Sequence, residues 1–197
     1  MIKRIRDLAL TALKTNEPRA VQAAEWYNYA GRFCAELDRD HGIEKGTTAG
    51  VVAALSPLNQ WQTQVDYTPG IISKGLELVS RGVSPHSAIT LSFSANKDKA
   101  ARILQGEKPL AVLGGDKVRS FYRNLTGDDE AVTIDRHAID IAGFSSKSAD
   151  IGKLTEAVYS RIAFAFRAAA HDIGLTPAGI QALTWCYWRE CKAGRAW

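Results

Sequence analysis

Residues 111–144 read AVLGGDKVRSFYRNLTGDDEAVTIDRHAIDIAGF, and this stretch decides the fold expected for the chain. Gly114 and Gly115 accept backbone angles that other residues adopt only at a cost, so a tight hairpin is predicted there. Asp116 is the predicted N-cap of the helix that follows, whose apolar residues recur with the helical period: Val118, Phe121, Tyr122 and Leu125. After a polar break, Asp135 is the predicted N-cap of a second helix, whose apolar side carries Ala138, Ile141 and Ala142.

The flanking segments also follow a helical pattern. Helices are predicted over 2–14, from Pro18 to about Arg39, from Thr47 or Thr48 to Pro57, over 62–80 with an interruption at Pro69-Gly70, over 97–105, over 153–173 and from Pro177 onward. No run of residues is typical of a strand, and no internal repeat is present. The sequence therefore predicts an all-α fold of about ten helices, arranged as two lobes of one domain spanning 1–197.

The last predicted helix has two distinct faces. Ile180, Leu183 and Tyr187 share an apolar face, as expected for a helix packed on a core. The opposite face mixes polar and tryptophan residues, namely Gln181, Trp185, Trp188 and Arg189. That second face either lines a substrate pocket or seals the helix bundle, and sealing is the preferred interpretation.

Composition limits the class of protein. The chain has 197 residues, of which 46% are hydrophobic and 23% charged, which is ordinary for a globular domain. No run approaches the ~18 apolar residues of a membrane span, and the basic start of the chain is interpreted as a helix and not as a signal peptide. Three scattered cysteines favour a cytoplasmic protein without a disulfide framework. The four histidines, His41, His86, His137 and His171, have no ligand spacing, so no metal site is predicted.

Positive charge is concentrated near the glycine hairpin. The chain has a formal net charge of +4, and residues 97–126 alone contain seven basic and three acidic side chains. A basic run is most often a solvated helix face. Beside a glycine hairpin, whose backbone N–H groups are suited to an anion, it favours a surface that binds nucleic-acid phosphates.

The hairpin and the later Asp-x-His segment together resemble the helix-hairpin-helix (HhH-GPD) DNA glycosylase superfamily, which includes endonuclease III and the adenine and alkyl-base glycosylases. In that family a Leu-Pro-Gly-Val-Gly-x-Lys hairpin precedes a Val-Asp-Thr-His segment; here 112–117 read Val-Leu-Gly-Gly-Asp-Lys and 134–137 read Ile-Asp-Arg-His. Lys117 and Asp135 are 18 positions apart, the spacing at which bifunctional members carry a lysine nucleophile and an essential aspartate. Leu113 replaces the first hairpin glycine, and Arg136 replaces the usual threonine.

The resemblance implies a DNA-binding enzyme with Asp135 and Lys117 as catalytic residues. Asp135 would stabilise the positive charge that develops on the sugar, and Lys117, whose ammonium form is disfavoured at a helix N-terminus, would attack C1′. Asp135 as a simple helix cap and Lys117 as a phosphate-contacting or solvated lysine are the alternatives. His137 is expected to hold the Asp135 loop through a hydrogen bond to the backbone. The residues predicted to bind DNA are Gly114, Gly115, Arg119, Arg123, Lys97 and Lys99.

A base pocket is expected around the segment after the buried helix. Family members carry a Leu-Ser-x-Gln segment there, which enters the gap left by the flipped base, and this chain has Leu-Ser-Pro-Leu-Asn-Gln-Trp at 55–61. Leu58 or Trp61 is the predicted wedge, and Asn59 or Gln60 the predicted reader of base edges. Capping of the preceding helix by these polar side chains is an equally good interpretation. Arg136 and His137 complete the predicted pocket.

Three functions are compatible with these features. The first is cleavage of an N-glycosidic bond in DNA, with strand nicking through Lys117. The second is a phage-type enzyme of thymine hypermodification, which joins an amino acid to activated 5-hydroxymethyluracil or processes the product. The third is a DNA-binding module without catalysis. No cofactor is predicted, and an iron–sulfur cluster, which some relatives hold on four C-terminal cysteines, is excluded because only Cys34, Cys186 and Cys191 are present.

Overall fold

A computed structural model describes residues 1–57, 59–91, 93–144 and 154–197. Within these residues it contains eleven α-helices, one short 3-10 helix over Pro85–Ala88 and no strand, which confirms the predicted all-α class. The helices are α1 (Ile2–Thr15), α2 (Glu17–Ala24), α3 (Trp26–Asp40), α4 (Thr47–Leu55), α5 (Trp61–Ser80), α6 (Ser94–Leu104), α7 (Pro109–Val112), α8 (Asp116–Leu125), α9 (Arg136–Ile141), α10 (Glu156–Ile173) and α11 (Pro177–Lys192).

The helix predicted over 18–39 is wrong as a single element, because a turn at Glu25 separates α2 from α3. Helix-type hydrogen bonds continue across the turn, from Glu25 N to the Val21 oxygen at 3.2 Å and from Tyr29 N to the Glu25 oxygen at 3.1 Å. The spacing of apolar residues therefore carries no sign of the break. In contrast, Pro69 lies inside α5, which runs as one helix.

The described residues group into two compact units, and each is described by itself. The first unit comprises Met1–Tyr29 and Gly127–Trp197. Phe166 of α10 is its largest fully buried side chain. Around it pack apolar residues from α1, α9, α10, α11 and the segment before α9: Ile5, Ala9, Ala12, Ile134, Ile141, Ile162, Ile180 and Leu183. Ten of the twenty buried residues of this core are alanines, whose small side chains allow the helices to pack closely.

The second unit comprises Ala30–Thr126 and is built around α4. Eight of the nine residues of α4 are buried, as its uniformly small and apolar sequence predicts. Asp38, only 4% exposed, holds the start of this helix. Its carboxylate accepts hydrogen bonds from the backbone of Gly46 at 2.7 Å and of Thr48 at 2.8 Å. These bonds satisfy N–H groups that a helix start leaves without intrahelical partners.

Gly31 of α3 lies directly against the backbone at the end of α8 in the second unit. A Cβ at this position would lie 2.7 Å from the backbone oxygen of Leu125, which cannot move aside as a flexible side chain does. We expect Gly31→Ala to lower the free energy of unfolding by about 1–3 kcal/mol. Gly70→Ala is the matched control, because a Cβ there meets nothing within 4 Å. In chemical denaturation the control should be up to about 1 kcal/mol more stable than the wild type; equal effects of the two changes would contradict the close approach.

Candidate functional site

Asp135 is the centre of a polar cluster in the first unit. Its side chain caps α9, as predicted: Oδ1 accepts hydrogen bonds from the backbone of His137 and Ala138, both at 2.9 Å. Oδ2 accepts a third hydrogen bond, from the indole Nε1 of Trp185 at 2.9 Å. The carboxylate is only partly exposed. It is therefore held in one orientation by donors that belong to two helices.

The polar face of α11 contributes two residues to this cluster. Trp185 bonds to Asp135, and Gln181 accepts a hydrogen bond from the Tyr27 hydroxyl at 2.6 Å, with both side chains buried. Trp188 is not part of this cluster. Its ring centre lies 5.0 Å from the Lys192 ammonium and 5.9 Å from the Arg4 guanidinium. Trp188 packs against α1, which agrees with the sealing interpretation of this face, while Gln181 and Trp185 belong to the polar cluster.

Tyr27 and Tyr159 are members of the cluster that sequence reasoning did not identify. Burial is the main cause that raises the pKa of Tyr27. A hydrogen bond with Thr133 acts in the opposite direction, and the charges of Asp135 and Tyr159 add to the increase. The Tyr159 hydroxyl donates to the Val132 oxygen at 2.8 Å and accepts from the backbone N–H of Ile134 at 3.1 Å. These bonds hold the segment that leads into Asp135. In the sequence both tyrosines follow the helical period and look like ordinary core residues.

His137 lies against Trp185, with an edge-to-face ring contact at 5.9 Å. Its backbone N–H bonds to Asp135, whereas its buried ring Nδ1 has no hydrogen-bond partner among the described residues. The ring therefore makes no hydrogen bond to the described backbone through Nδ1, and the segment around Asp135 is held by the backbone of His137 and Ala138 and by the side chains of Trp185 and Tyr159. Burial is the largest cause that lowers the pKa of His137. The charge of Asp135 acts in the opposite direction, and the charges of Arg136, Arg189 and Lys192 reinforce the lowering.

This depressed pKa predicts a pH-dependent stability. Above about pH 6.5 His137 is neutral in both the folded and the unfolded chain. As the pH falls through that value, the unfolded chain binds a proton that folded His137 accepts only at lower pH, so the free energy of unfolding decreases. Denaturation at several pH values should show a smaller loss between pH 7.5 and 5.5 for His137→Gln than for the wild type. His41→Gln, at an exposed position, serves as the control, and identical pH profiles for all three proteins would contradict the prediction.

Cys186 lies beside the same cluster but does not suit nucleophilic catalysis. Burial raises the pKa of its thiol to about 11, although the nearby Arg189 and Arg19 act in the opposite direction. The thiolate is the reactive form of cysteine, and it is scarce at neutral pH when the pKa is this high. Asp135 is the residue of this cluster for which the sequence predicts a catalytic role.

The hairpin of the second unit presents its glycines and basic residues to solvent. Gly115 has φ +79°, a backbone conformation that favours glycine, and it is the N-cap of α8. The prediction of Asp116 as N-cap is wrong by one residue, because the chain enters the helix at Gly115 and Asp116 is the first helical residue. Lys99 lies over the hairpin, with its Nζ 4.0 Å from the Cβ position of Gly114.

The basic residues around this hairpin fall into two groups. Arg102 pairs with Glu107 at 2.6 Å, and Lys108 pairs with Glu44. The other five are those that the sequence assigns to DNA binding or catalysis: Lys97, Lys99, Lys117, Arg119 and Arg123. Lys117, Arg119 and Arg123 are exposed along α8, and Arg119 also donates to the Leu110 oxygen at 3.1 Å, which links α8 to α7. Lys117 belongs to the second unit and Asp135 to the first.

The residues predicted to form a base pocket after α4 lie in different environments. Asn59 donates from its side chain to the Leu55 oxygen at 2.7 Å, which agrees with the capping interpretation. Trp61 begins α5 and makes an edge-to-face contact with Phe33 at 5.8 Å, while Gln60 is exposed. Leu58, the alternative wedge, lies outside the described residues. Arg136 is exposed in the first turn of α9.

No helix among the described residues combines the length and the apolar character that a membrane span requires. In the same parts of the chain, no three histidine, cysteine or acidic side chains come together as ligands for a metal ion.

Comparisons with known proteins place the chain in one family. A family model described as "Family of unknown function (DUF7178)" matches residues 3–192, so the chain belongs to that family. No curated protein and no solved structure matches the chain.

Proposed function

We propose that this member of the DUF7178 family is a DNA-binding enzyme that acts on a nucleobase flipped out of the helix and cleaves its N-glycosidic bond. The observation that carries the proposal is the Asp135 carboxylate, which accepts hydrogen bonds from two backbone N–H groups and from Trp185. Such a carboxylate needs no rearrangement when positive charge develops nearby. This matches the demand of the reaction, since departure of the base leaves a sugar with oxocarbenium character.

Binding to DNA is supported by the hairpin of the second unit. Gly115 starts α8 with exposed backbone, and Lys117, Arg119 and Arg123 are exposed on that helix. Backbone N–H groups at a helix start and basic side chains beside them suit a phosphate, and such contacts position a protein on DNA without reading its bases. Selection of the base would then depend on the pocket near the reacting sugar.

Lys117 is the proposed nucleophile of a lyase step. Its neutral amine would attack C1′, and the base would leave with the bonding electron pair and take up a proton from that nitrogen. The C1′–O4′ bond would then break, with O4′ taking up a proton, and the resulting imine would be reduced by borohydride to a stable adduct. An exposed lysine is compatible with this role and equally with contact to a phosphate. A nucleophilic Lys117 predicts a covalent adduct with DNA, whereas a Lys117 that only contacts a phosphate predicts none.

The test is a gel assay on duplexes that contain uracil, an oxidised pyrimidine, an alkylated base or an abasic site, with borohydride present. We expect one of these duplexes to give a covalent adduct that is lost in Lys117→Ala and kept in Lys74→Ala, an exposed lysine elsewhere in the second unit. Base release without an adduct would assign a glycosylase that has no lyase step.

Binding without base release on every duplex would overturn the proposal. In that case hypermodified phage DNA, with activated 5-hydroxymethyluracil, becomes the substrate to examine for a transferase. Inactivity on that DNA as well would leave a non-catalytic DNA-binding module.

A further inference from the structure

We infer that the first unit contains a nucleotide-binding pocket beside Asp135, in which aromatic side chains hold the base and two arginines hold the phosphate. The pocket has a volume of about 280 Å³, close to the lower end for small-molecule sites. It is formed by α2, the first turn of α3, α11 and the C-terminal residue. We call it the arginine–tryptophan pocket and define it by the residues Arg19, Trp26, Tyr29, Trp185, Arg189 and Trp197.

The charge of the pocket favours an anion. Arg19 and Arg189 line it, and neither has a carboxylate hydrogen-bonded to it in the described parts of the chain. Glu190 is the acidic residue of the lining, and Arg195 donates two hydrogen bonds to it, of 2.6 and 3.1 Å. These bonds are the largest cause that lowers the pKa of Glu190, and the charges of Arg195, Arg19 and Arg189 act in the same direction. Three guanidinium groups, those of Arg19, Arg189 and Arg195, thus lie near one carboxylate, so the net charge at the pocket is positive and favours an anionic ligand.

Both arginines are arranged by tryptophan rings. The Arg189 guanidinium lies 4.5 Å from the ring centre of Trp185, and that of Arg19 lies 4.8 Å from the ring centre of Trp197. Arg19 also donates to the Ala196 oxygen at 3.1 Å, which limits its movement further. Guanidinium groups held over aromatic rings keep their outer N–H groups directed to solvent. They are thus prepared for a phosphate that enters the pocket.

Trp26 and Tyr29 add two aromatic side chains to the lining, which also contains Gln22, Ala23 and Cys186. Trp26 is half-buried and Tyr29 is 50% exposed, so a ligand can reach both rings. Aromatic rings and guanidinium planes are the surfaces on which bases stack in nucleotide sites and single-strand sites. A purely apolar ligand would leave both arginines without a partner, and a small inorganic anion would leave the rings exposed. A planar base joined to a phosphate satisfies both halves of the lining.

The pocket and the catalytic candidate share one side chain. Trp185 lines the pocket and donates its indole N–H to Asp135. The inference deepens the proposed function and rests on it for the choice of a nucleotide over other aromatic anions. The nucleotide has two possible sources, a free nucleoside monophosphate and a nucleotide within a DNA strand.

Isothermal titration calorimetry on the full chain tests the inference. The probes are the four deoxynucleoside 5′-monophosphates, the matching nucleosides, inorganic phosphate and an oligonucleotide of eight thymidines. We expect at least one monophosphate or the oligonucleotide to bind, and Arg19→Gln and Arg189→Gln each to weaken it about tenfold or more, because each loses a charged hydrogen-bond donor. Arg161→Gln, at an exposed position of α10 in the same unit, is the control and should bind as the wild type does.

The outcomes separate the sources and the two proposals. Binding of free monophosphates identifies a soluble nucleotide as the source, and binding of the oligonucleotide alone identifies DNA; both support the pocket. Inorganic phosphate binding as tightly as every nucleotide would overturn it, as would equal affinity in the arginine variants and the wild type. Base release from damaged duplexes that persists unchanged in Arg19→Gln and Arg189→Gln, without nucleotide binding, would overturn the pocket and leave the proposed function intact. Nucleotide binding without base release would support the pocket and overturn the proposed function.

Discussion

Asp135→Asn is expected to reduce the rate of base release by about 10²–10³-fold while leaving the fold intact. Asparagine caps helices as well as aspartate does, so its single amide oxygen can keep the bonds from His137 and Ala138. Its NH₂ group then replaces the carboxylate oxygen that accepts from Trp185, so that hydrogen bond is lost. The substitution therefore removes the negative charge and the hydrogen bond from Trp185, and it keeps the helix cap. Single-turnover base release on the best duplex substrate measures its effect on the chemical step.

Asp172→Asn is the matched control for this change. Asp172 is an acidic residue of the same unit, and its ion pair with Arg6, at 3.3 Å, lies on the surface. Its loss should change neither the rate nor the melting temperature by much. Equal rates for Asp135→Asn and the wild type would remove Asp135 from the catalytic residues and leave it as a helix cap.

Phe166→Ala is expected to lower the free energy of unfolding of the first unit by about 3–5 kcal/mol. Phe166 is completely buried in the core of that unit, so truncation removes apolar contacts and leaves a cavity that the surrounding helices fill only in part. Chemical denaturation followed by tryptophan fluorescence is a suitable measurement, because four of the five tryptophans lie in this unit.

Phe164, two residues earlier on α10, provides the control. Its side chain is 64% exposed, so Phe164→Ala has the same chemistry without a core cavity. We expect its effect to remain within about 0.5 kcal/mol. A loss of stability in Phe164→Ala as large as that in Phe166→Ala would mean that Phe166 is not the centre of this core.

Local chemistry made much of the fold predictable. Asp135 was identified as an N-cap because it precedes a short apolar period, and the small apolar sequence of α4 indicated its burial. The same reasoning failed where a local signal was absent. The turn at Glu25 leaves the helical hydrogen bonding continuous, and Gly115 precedes Asp116, which is itself an acceptable cap.

The partners within the site depend on contacts distant in sequence. Trp185 and Asp135 are separated by 50 positions, and Tyr159 reaches back 27 positions to Val132. Periodicity places Trp185 on a polar face of α11 without saying what that face meets. Arg19 and Trp197 come from opposite ends of the chain, so no spacing rule joins them in one pocket. The local sequence thus predicts the position of the Asp135 carboxylate, but it does not predict that Tyr27 and Tyr159 lie in the same cluster.

The three cysteines lie in different environments, and this difference allows a fluorescent dye to be attached at one natural cysteine. Burial raises the pKa of Cys34 to about 12 and that of Cys186 to about 11, whereas Cys191 is exposed near the end of α11. Maleimides react with thiolates, so a fluorescent maleimide should label the folded protein at Cys191 alone. Because Cys191 follows Arg189 by two positions, the dye would lie within one helical turn of the arginine–tryptophan pocket and report on its occupancy without any substitution.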